Sequence, residues 1–388
     1  MLNYIATVSL FSIFYAYFGY PALLLYLKSR RMNKTEAGIE PSSYSIIIST
    51  RNESANIKAK IENTLDLDWF DGKKLRDVLL DSKEIEVFVA DDASDDGTLE
   101  IVRSYENLGV RISRLEERGG KEVAQKKAVE SSTGDVIVFT DTKVMISHDV
   151  ILKARSYFSD PNIGAVSSVD KVLDESGESG EGAYVKYEMK IRELESEAAS
   201  LVGLSGSCFL VRREIASAIR GNLCSDFFSA TEAVRLGKRS VLARDIVGSY
   251  KAVTDSGKEY ERKIRTVLRG MSAILEQPEV FDYSKFGFFS VQVLSHKIYR
   301  WLVPWFFILL FFSSMFLRQC VCMWGFVFWA QVMVLGLALA GYFKADLRKY
   351  ALVRIPLFFV LSNTAILVAS IRLLKGESVI VWDPSKKG

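Results

Sequence analysis

Acidic residues gather at two abrupt breaks in this sequence. Val87, Phe88, Val89 and Ala90 form a short apolar run that stops at Asp91, Asp92, Asp95 and Asp96, just before Gly97. This predicts a β-strand delivering carboxylates to the loop at its carboxyl end. Residues 135–141 repeat the design and end on Asp141. In open α/β sheets ligands bind beyond the carboxyl ends of strands. Two neighbouring buried strands ending in acids crowd negative charge, which a cation or hydrogen-bond donors must offset. The pattern suggests a metal-dependent nucleotide site. Arg118, Gly119, Gly120 and Lys121 precede a helical stretch over 122–131. The two glycines let backbone approach a phosphate, and Lys121 adds a point charge at a helix start. The sequence has no GxGxxG or Walker-A pattern, so nicotinamide and ATP readings find no support.

The elements that must position these groups follow from the apolar pattern. Residues 44–49 read as the first strand and 55–67 as the helix after it, with Asn52 and Glu53 in the turn between them. There they serve either as base and ribose contacts or as helix-capping groups. Asp91 and Asp92 are either ligand-facing or part of an Asp-rich turn capping the helix over 98–105. Residues 184–200 read as a helix whose apolar stripe is packing in preference to a sugar platform. The acidic, Gly-rich run 174–182 reads as a mobile loop. Around Ser205, a nucleophile elbow would need Gly at 207, where Ser stands.

Several motifs together carry a resemblance. Ile46, Ile47, Ile48, Ser49, Thr50, Arg51, Asn52 and Glu53 are followed by the run Val89 to Thr98, by Gly119, Gly120 and Lys121, and by Phe139, Thr140 and Asp141. In order and spacing they resemble the motifs of family-2 glycosyltransferases with a GT-A fold, over about residues 43–244. Membrane-bound polysaccharide synthases of the hyaluronan, chitin and poly-N-acetylglucosamine type are members. The resemblance implies an α/β, Rossmann-like mixed sheet and a nucleotide-sugar donor, with uracil and ribose contacts from Asp92 and Asp91. It also implies Mg²⁺ or Mn²⁺ at Asp141, bridging the donor diphosphate. Here the sequence departs from the family: Lys143 stands where a second metal ligand is usual, and a protonated lysine cannot ligate a hard cation. Either Asp141 holds the metal as the sole carboxylate, or Lys143 partly replaces the ion. Cys224, Ser225, Asp226, Phe227 and Phe228 resemble the segment supplying the catalytic base, with Asp226 in that position. One such carboxylate suffices for a single displacement with inversion. The alternative is an N-cap for the helix over 229–236. Arg262 to Thr266 is the nearest match to the interfacial Gln-x-x-Arg-Trp motif, with Gln and Trp absent, which brings Arg262 and Arg265 toward the diphosphate.

Composition bounds the rest. The chain has 388 residues, 49% of them hydrophobic, and a formal net charge of +3. That charge is too small to argue for a nucleic-acid partner. Cys208, Cys224, Cys320 and Cys322 contain no CxxC pair, so neither a disulfide framework nor a zinc site is expected. The apolar excess sits at the ends. Residues 5–27 make a helix of about 35 Å, enough to cross a hydrocarbon core of about 30 Å. The following Lys28, Arg30 and Arg31 put the next domain on the cytoplasmic side of the plasma or inner membrane.

Along 259–276, Tyr260, Ile264, Val267, Leu268, Met271, Ile274 and Leu275 share one helical face, and Arg262, Arg265 and Arg269 share the other. Such a helix can lie on a bilayer. Its basic face meets the diphosphate, acids of the soluble domain, or lipid headgroups. Residues 301–317, 321–343 and 352–374 read as three further spans. The expected organisation is an anchor (1–27), a linker (28–42), the GT-A domain (43–245), an amphipathic segment (246–296) and a membrane domain (297–388). The expected activity is transfer of a sugar from a UDP-sugar to a growing polysaccharide or a lipid-linked acceptor. A catalytically inactive scaffold or regulatory subunit is the alternative, because Lys143 and the missing Gln and Trp depart from the family.

Overall fold

The computed structural model describes residues 1–28, 38–173, 181–251, 256–319 and 322–377. Most of the acidic run expected as a loop, residues 174–180, lies outside them, as do Arg30 and Arg31. Among the described residues eight strands form one mixed sheet: β1 (Tyr44–Thr50), β2 (Ile85–Asp91), β3 (Val110–Arg114), β4 (Val136–Asp141), β5 (Met145–Ile146), β6 (Ile163–Leu173), β7 (Cys208–Arg212) and β8 (Arg239–Lys251), in the order β3-β2-β1-β4-β7-β6-β8-β5. The strands β3, β2, β1 and β4 run parallel. By contrast, β7 is antiparallel to both β4 and β6. Both faces of the parallel half are covered, which is why its strands are continuous apolar runs. Ile46, Ile48, Val87, Val89 and Val138 point into one core, and Ile47, Phe88, Ile137 and Phe139 into the other. Gly134 allows the turn into β4 to pass β1, since a Cβ there would lie 2.4 Å from the carbonyl carbon of Tyr44.

This register puts Thr50, Asp91 and Asp141 along one sheet edge, with Thr50 opposite Asp91 and Ser49 opposite Asp141. The helix Lys121–Ser131 starts at the same edge, after Gly120.

Among the described residues four helices are long and apolar enough to cross a membrane: Leu2–Lys28, Phe288–Leu317, Cys322–Phe343 and Ala351–Leu374. The first two contain π-helical turns, Tyr15–Gly19 and Leu294–Tyr299. The turns meet, with Tyr15 Oη 2.8 Å from Ser295 Oγ. The helix Ser256–Leu275 is amphipathic, as its sequence predicts. Its apolar residues Ile264, Leu268 and Met271 pack on Ala365 and Ala369 of the last span, so that stripe faces protein. Its other face turns toward the sheet edge.

Candidate functional site

A cleft of about 610 Å³ opens at the carboxyl edge of the parallel strands. Of the residues singled out from sequence, Glu53, Asp92, Lys121, Asp141, Asp226 and Arg262 line it. Asn52, Asp91 and Arg265 are not among its lining residues.

Asp92 opens the loop after β2. Its Oδ1 accepts hydrogen bonds from Gly119 N at 2.8 Å and Gly120 N at 2.9 Å. The glycine pair is thus tied to the carboxylate before any ligand arrives. Its Oδ2 is buried and has no hydrogen-bond partner among the described residues. A buried carboxylate oxygen in that state is costly, and a ligand donor would relieve it. Asp91 has a different task. It accepts from Ser94 N and Ser94 Oγ, and Arg114 Nε lies 3.4 Å away. Asn52, at φ +50°, exchanges hydrogen bonds with Asp95, its Nδ2 reaching Oδ1 at 2.8 Å and its Oδ1 accepting from Asp95 N at 3.0 Å. Both residues shape the loops of the cleft. Asp96, rather than a ligand, receives Ser54 N at 3.1 Å and Thr98 N at 3.1 Å.

Cations and acids alternate across the floor. Lys121 Nζ lies 2.6 Å from Asp141 Oδ1 and donates to Gly206 O at 3.1 Å. Burial alone would lower its pKa, but Asp141, Glu122 and Asp226 outweigh burial and hold it above the ordinary lysine value. Lys121 therefore stays charged. Lys143 Nζ pairs with Glu53 Oε1 at 2.9 Å. Glu53, only 3% exposed, also accepts from Asn56 Nδ2 at 2.6 Å.

Arg269, from the basic face of Ser256–Leu275, donates to the buried Glu122 in the first turn after Gly120. Its guanidinium is desolvated, yet the Glu122 carboxylate keeps its pKa raised. The basic face thus engages an acid of the sheet domain.

Asp226 lies in the first turn of the helix Ser225–Arg235, with Cys224 at the N-cap position. The expected cap role therefore shifts by two residues and leaves Asp226 in the cleft wall. Its Oδ1 accepts from Phe227 N at 2.7 Å. Oδ2 points at Gly206, where a Cβ would stand 2.9 Å from it. Burial, with Asp226 adding to it, pushes the Cys224 thiol up to about 12, which removes that cysteine as a nucleophile. Nearby, Ser205 Oγ donates to Asp170 Oδ1 at 2.5 Å, and Ser207 Oγ donates to the same oxygen. Ser205 is a structural hydroxyl.

Residues 45–220 match the family described as Glycosyl transferase family 2. Over that stretch the chain is similar to family-2 glycosyltransferases. Its matches among curated proteins are partial. The beta-monoglucosyldiacylglycerol synthase of Trichormus variabilis is 24% identical over 199 residues, covering 49% of this chain and 40% of that protein. An N-acetylglucosaminyltransferase of Rhizobium meliloti is 29% identical over 138 residues, 34% of this chain and 32% of that protein. The chain thus spans less than half the length of these relatives. The architecture extends further. A mannosyltransferase of Pyrobaculum calidifontis, solved with GDP-Man and Mn²⁺, superimposes with a TM-score of 0.72 at 20% identity, over 97% of this chain and all of that one. The shared fold is GT-A, with membrane-spanning-length helices at both ends of this chain.

Among the described residues no group of three His, Cys, Asp or Glu side chains gathers as a metal cage. A single carboxylate completed by substrate phosphates is, however, an ordinary way to hold Mg²⁺. Asp141 fits that role: it lies at the cleft and its side chain is 40% exposed. Lys143, the residue that casts doubt on the site in sequence, is engaged by Glu53.

Three features of the cleft escape the motif reading. The Glu122–Arg269 pair links positions 147 apart. Asp170 enters from the far end of β6. Glu188 and Arg192 enter from the helix Glu181–Ala198. Arg269 shows its signal as part of the basic face, and the others carry none that a local pattern would single out.

Proposed function

We propose that this chain is an inverting glycosyltransferase. It moves a sugar from a nucleotide diphosphate donor, UDP-linked in the first instance, to a polysaccharide or lipid-linked acceptor at the cytoplasmic face of the membrane. The observation that carries the reading is one cleft with cations around Lys121 on one side and the Asp226 carboxylate on the other. The nucleoside enters beside Asp92, whose unpartnered Oδ2 accepts from the base or ribose. The diphosphate lies over Gly119, Gly120 and Lys121, with Arg262 closing from the amphipathic helix. Asp226 takes the proton of the acceptor hydroxyl as that oxygen attacks the anomeric carbon. The bond to the diphosphate breaks on the opposite side, and the configuration inverts. Lys121 remains protonated and offsets charge on the departing nucleotide. When bound, Mg²⁺ or Mn²⁺ would be held by Asp141 and supply further neutralisation. The Lys28 cluster supports the cytoplasmic side.

Nucleotide binding tests the donor half directly. Calorimetry of the full chain in detergent should show binding of UDP, or of GDP if the base preference differs. Asp92→Ala should bind about 10- to 100-fold more weakly, the loss expected for a charge-assisted contact, with its thermal transition retained. Equal affinity in wild type and variant, or no binding of either nucleotide, would overturn this reading.

A further inference from the structure

Two cations lie near the Asp226 side of the same cleft, Arg192 in its lining and Lys297 behind it, and among the described residues neither makes an ion pair. Arg192 projects from the helix Glu181–Ala198 into the cleft wall, and its Nη1 is buried with no hydrogen-bond partner among the described residues. Lys297 comes from the second membrane span. Its Nζ stands 3.8 Å from where a Cβ of Gly203 would lie, a position also 3.9 Å from the Phe227 ring. The next residue, Leu204, lines the cleft and donates its N–H to Asp226 O at 3.3 Å. Lys297 lies within electrostatic reach of Arg192, Glu188, Glu195 and Asp226.

The two glutamates do not neutralise this pair, because they are committed elsewhere. Glu188 accepts from Arg300 through Oε1 and contacts His296 Nε2 through Oε2 at 3.3 Å. Burial alone would raise its carboxyl, but Arg300 and His296 hold it well below the usual range. Glu195 Oε1 accepts from Tyr20 Oη at 2.5 Å and lies 2.7 Å from His296 Nδ1. This network ties the first two spans to the helix that carries Arg192. Lys297 stays within electrostatic reach of Arg192, and neither makes an ion pair among the described residues. Two like charges held together with unused donors are costly unless an anion joins them. A guanidinium beside an ammonium matches a phosphate group.

We propose that Arg192 and Lys297 form an acceptor subsite that binds the phosphate of a membrane lipid and sets the acceptor against Asp226. Lys297 belongs to a membrane span, so the phosphate arrives at headgroup depth with its hydrocarbon in the bilayer. The acceptor is then a phosphorylated lipid and not a neutral one. This deepens the proposed glycosyl transfer and rests on Asp226 as the base, but its binding test needs no turnover.

The experiment measures equilibrium binding of a fluorescent long-chain isoprenyl monophosphate to the full chain in neutral-detergent micelles. The matched isoprenyl alcohol, dioleoyl glycerol and inorganic phosphate serve as competitors. The lipid phosphate should bind at least 10-fold tighter than the alcohol or the diacylglycerol. Arg192→Gln and Lys297→Gln should each lose that preference, whereas Lys297→Arg should keep it. UDP binding should stay at the wild-type value in all three. Equal affinity of the wild type for phosphate and alcohol would overturn the proposal and requires no variant. So would glutamine variants that keep the preference. Displacement by inorganic phosphate at the concentration of the lipid would mean a free-anion site and would overturn the lipid assignment. Loss of UDP binding in the wild type would count against the donor reading alone.

Discussion

Replacing Gly206 with alanine should impair turnover while leaving the fold intact. A Cβ at 206 would lie 2.9 Å from Asp226 Oδ2 and 3.9 Å from its Cγ. Non-bonded heavy atoms settle at about 3.5 Å or more, so the carboxylate must retreat by roughly half an ångström. A 1 Å misplacement costs about 100-fold. Half of that corresponds to roughly 10-fold in kcat, or about 1.4 kcal/mol of transition-state stabilisation. The contact is with the far end of one side chain, and 206 is not among the positive-φ glycines, so stability should change by about 0.5 kcal/mol or less. The assay is steady-state release of nucleoside diphosphate with varied donor, beside a thermal melt. The expected result is a lower kcat, an unchanged donor KM and an unchanged Tm. Wild-type kcat in Gly206→Ala would refute the requirement that the Asp226 carboxylate hold its place, and so would a loss confined to donor KM.

Two other perturbations probe the frame of the site. Lys60 is wholly buried, donating to Thr140 Oγ1 at 2.9 Å and Val144 O at 2.6 Å, and burial pulls its pKa from 10.5 down to about 8. Between those values the unfolded chain binds the proton that the native chain has released, so native stability rises with pH. The stability of wild type relative to Lys60→Met should therefore grow by about 3 kcal/mol between pH 7.5 and pH 10.5, and a flat difference in denaturant titrations would contradict this. Arg269→Met strands the Glu122 carboxylate, whose side chain is 5% exposed. Removing one partner of a buried pair costs about 3–5 kcal/mol, so this variant should melt well below wild type, whereas the double change Glu122→Gln, Arg269→Met should recover much of the loss.

The parts of the site legible in the sequence are those where chemistry and fold share a few adjacent residues. The acids Asp92 and Asp141 follow apolar runs directly, so reading the strand also fixes the sheet edge. Lys121 follows two glycines and opens a helix, and its nearness to the acids follows from strand order. Asp91 and Asn52 show the limit of that logic. Their residue types suit a ligand, but Ser94, Arg114 and Asp95 arrive to occupy them, and those partners depend on loop geometry. The pairing of Arg269 with Glu122 depends on how the amphipathic helix seats against the last span, a packing outcome that periodicity leaves open. The periodicity correctly marks a basic and an apolar face along Ser256–Leu275, but not that Ala365 and Ala369 would cover the apolar one. The acceptor-side cations are less legible still, since Arg192 and Lys297 meet only when a membrane span packs beside the cleft.

The most direct measurement is nucleoside diphosphate release by the full chain in detergent with added membrane lipids. It would span a panel of UDP- and GDP-sugars with Mn²⁺, Mg²⁺ or EDTA, comparing wild type with Asp226→Asn. The account predicts release from one donor that EDTA suppresses and Mn²⁺ or Mg²⁺ restores, at least about 100-fold lower in Asp226→Asn with nucleotide binding unchanged. Equal release by wild type and Asp226→Asn would contradict it.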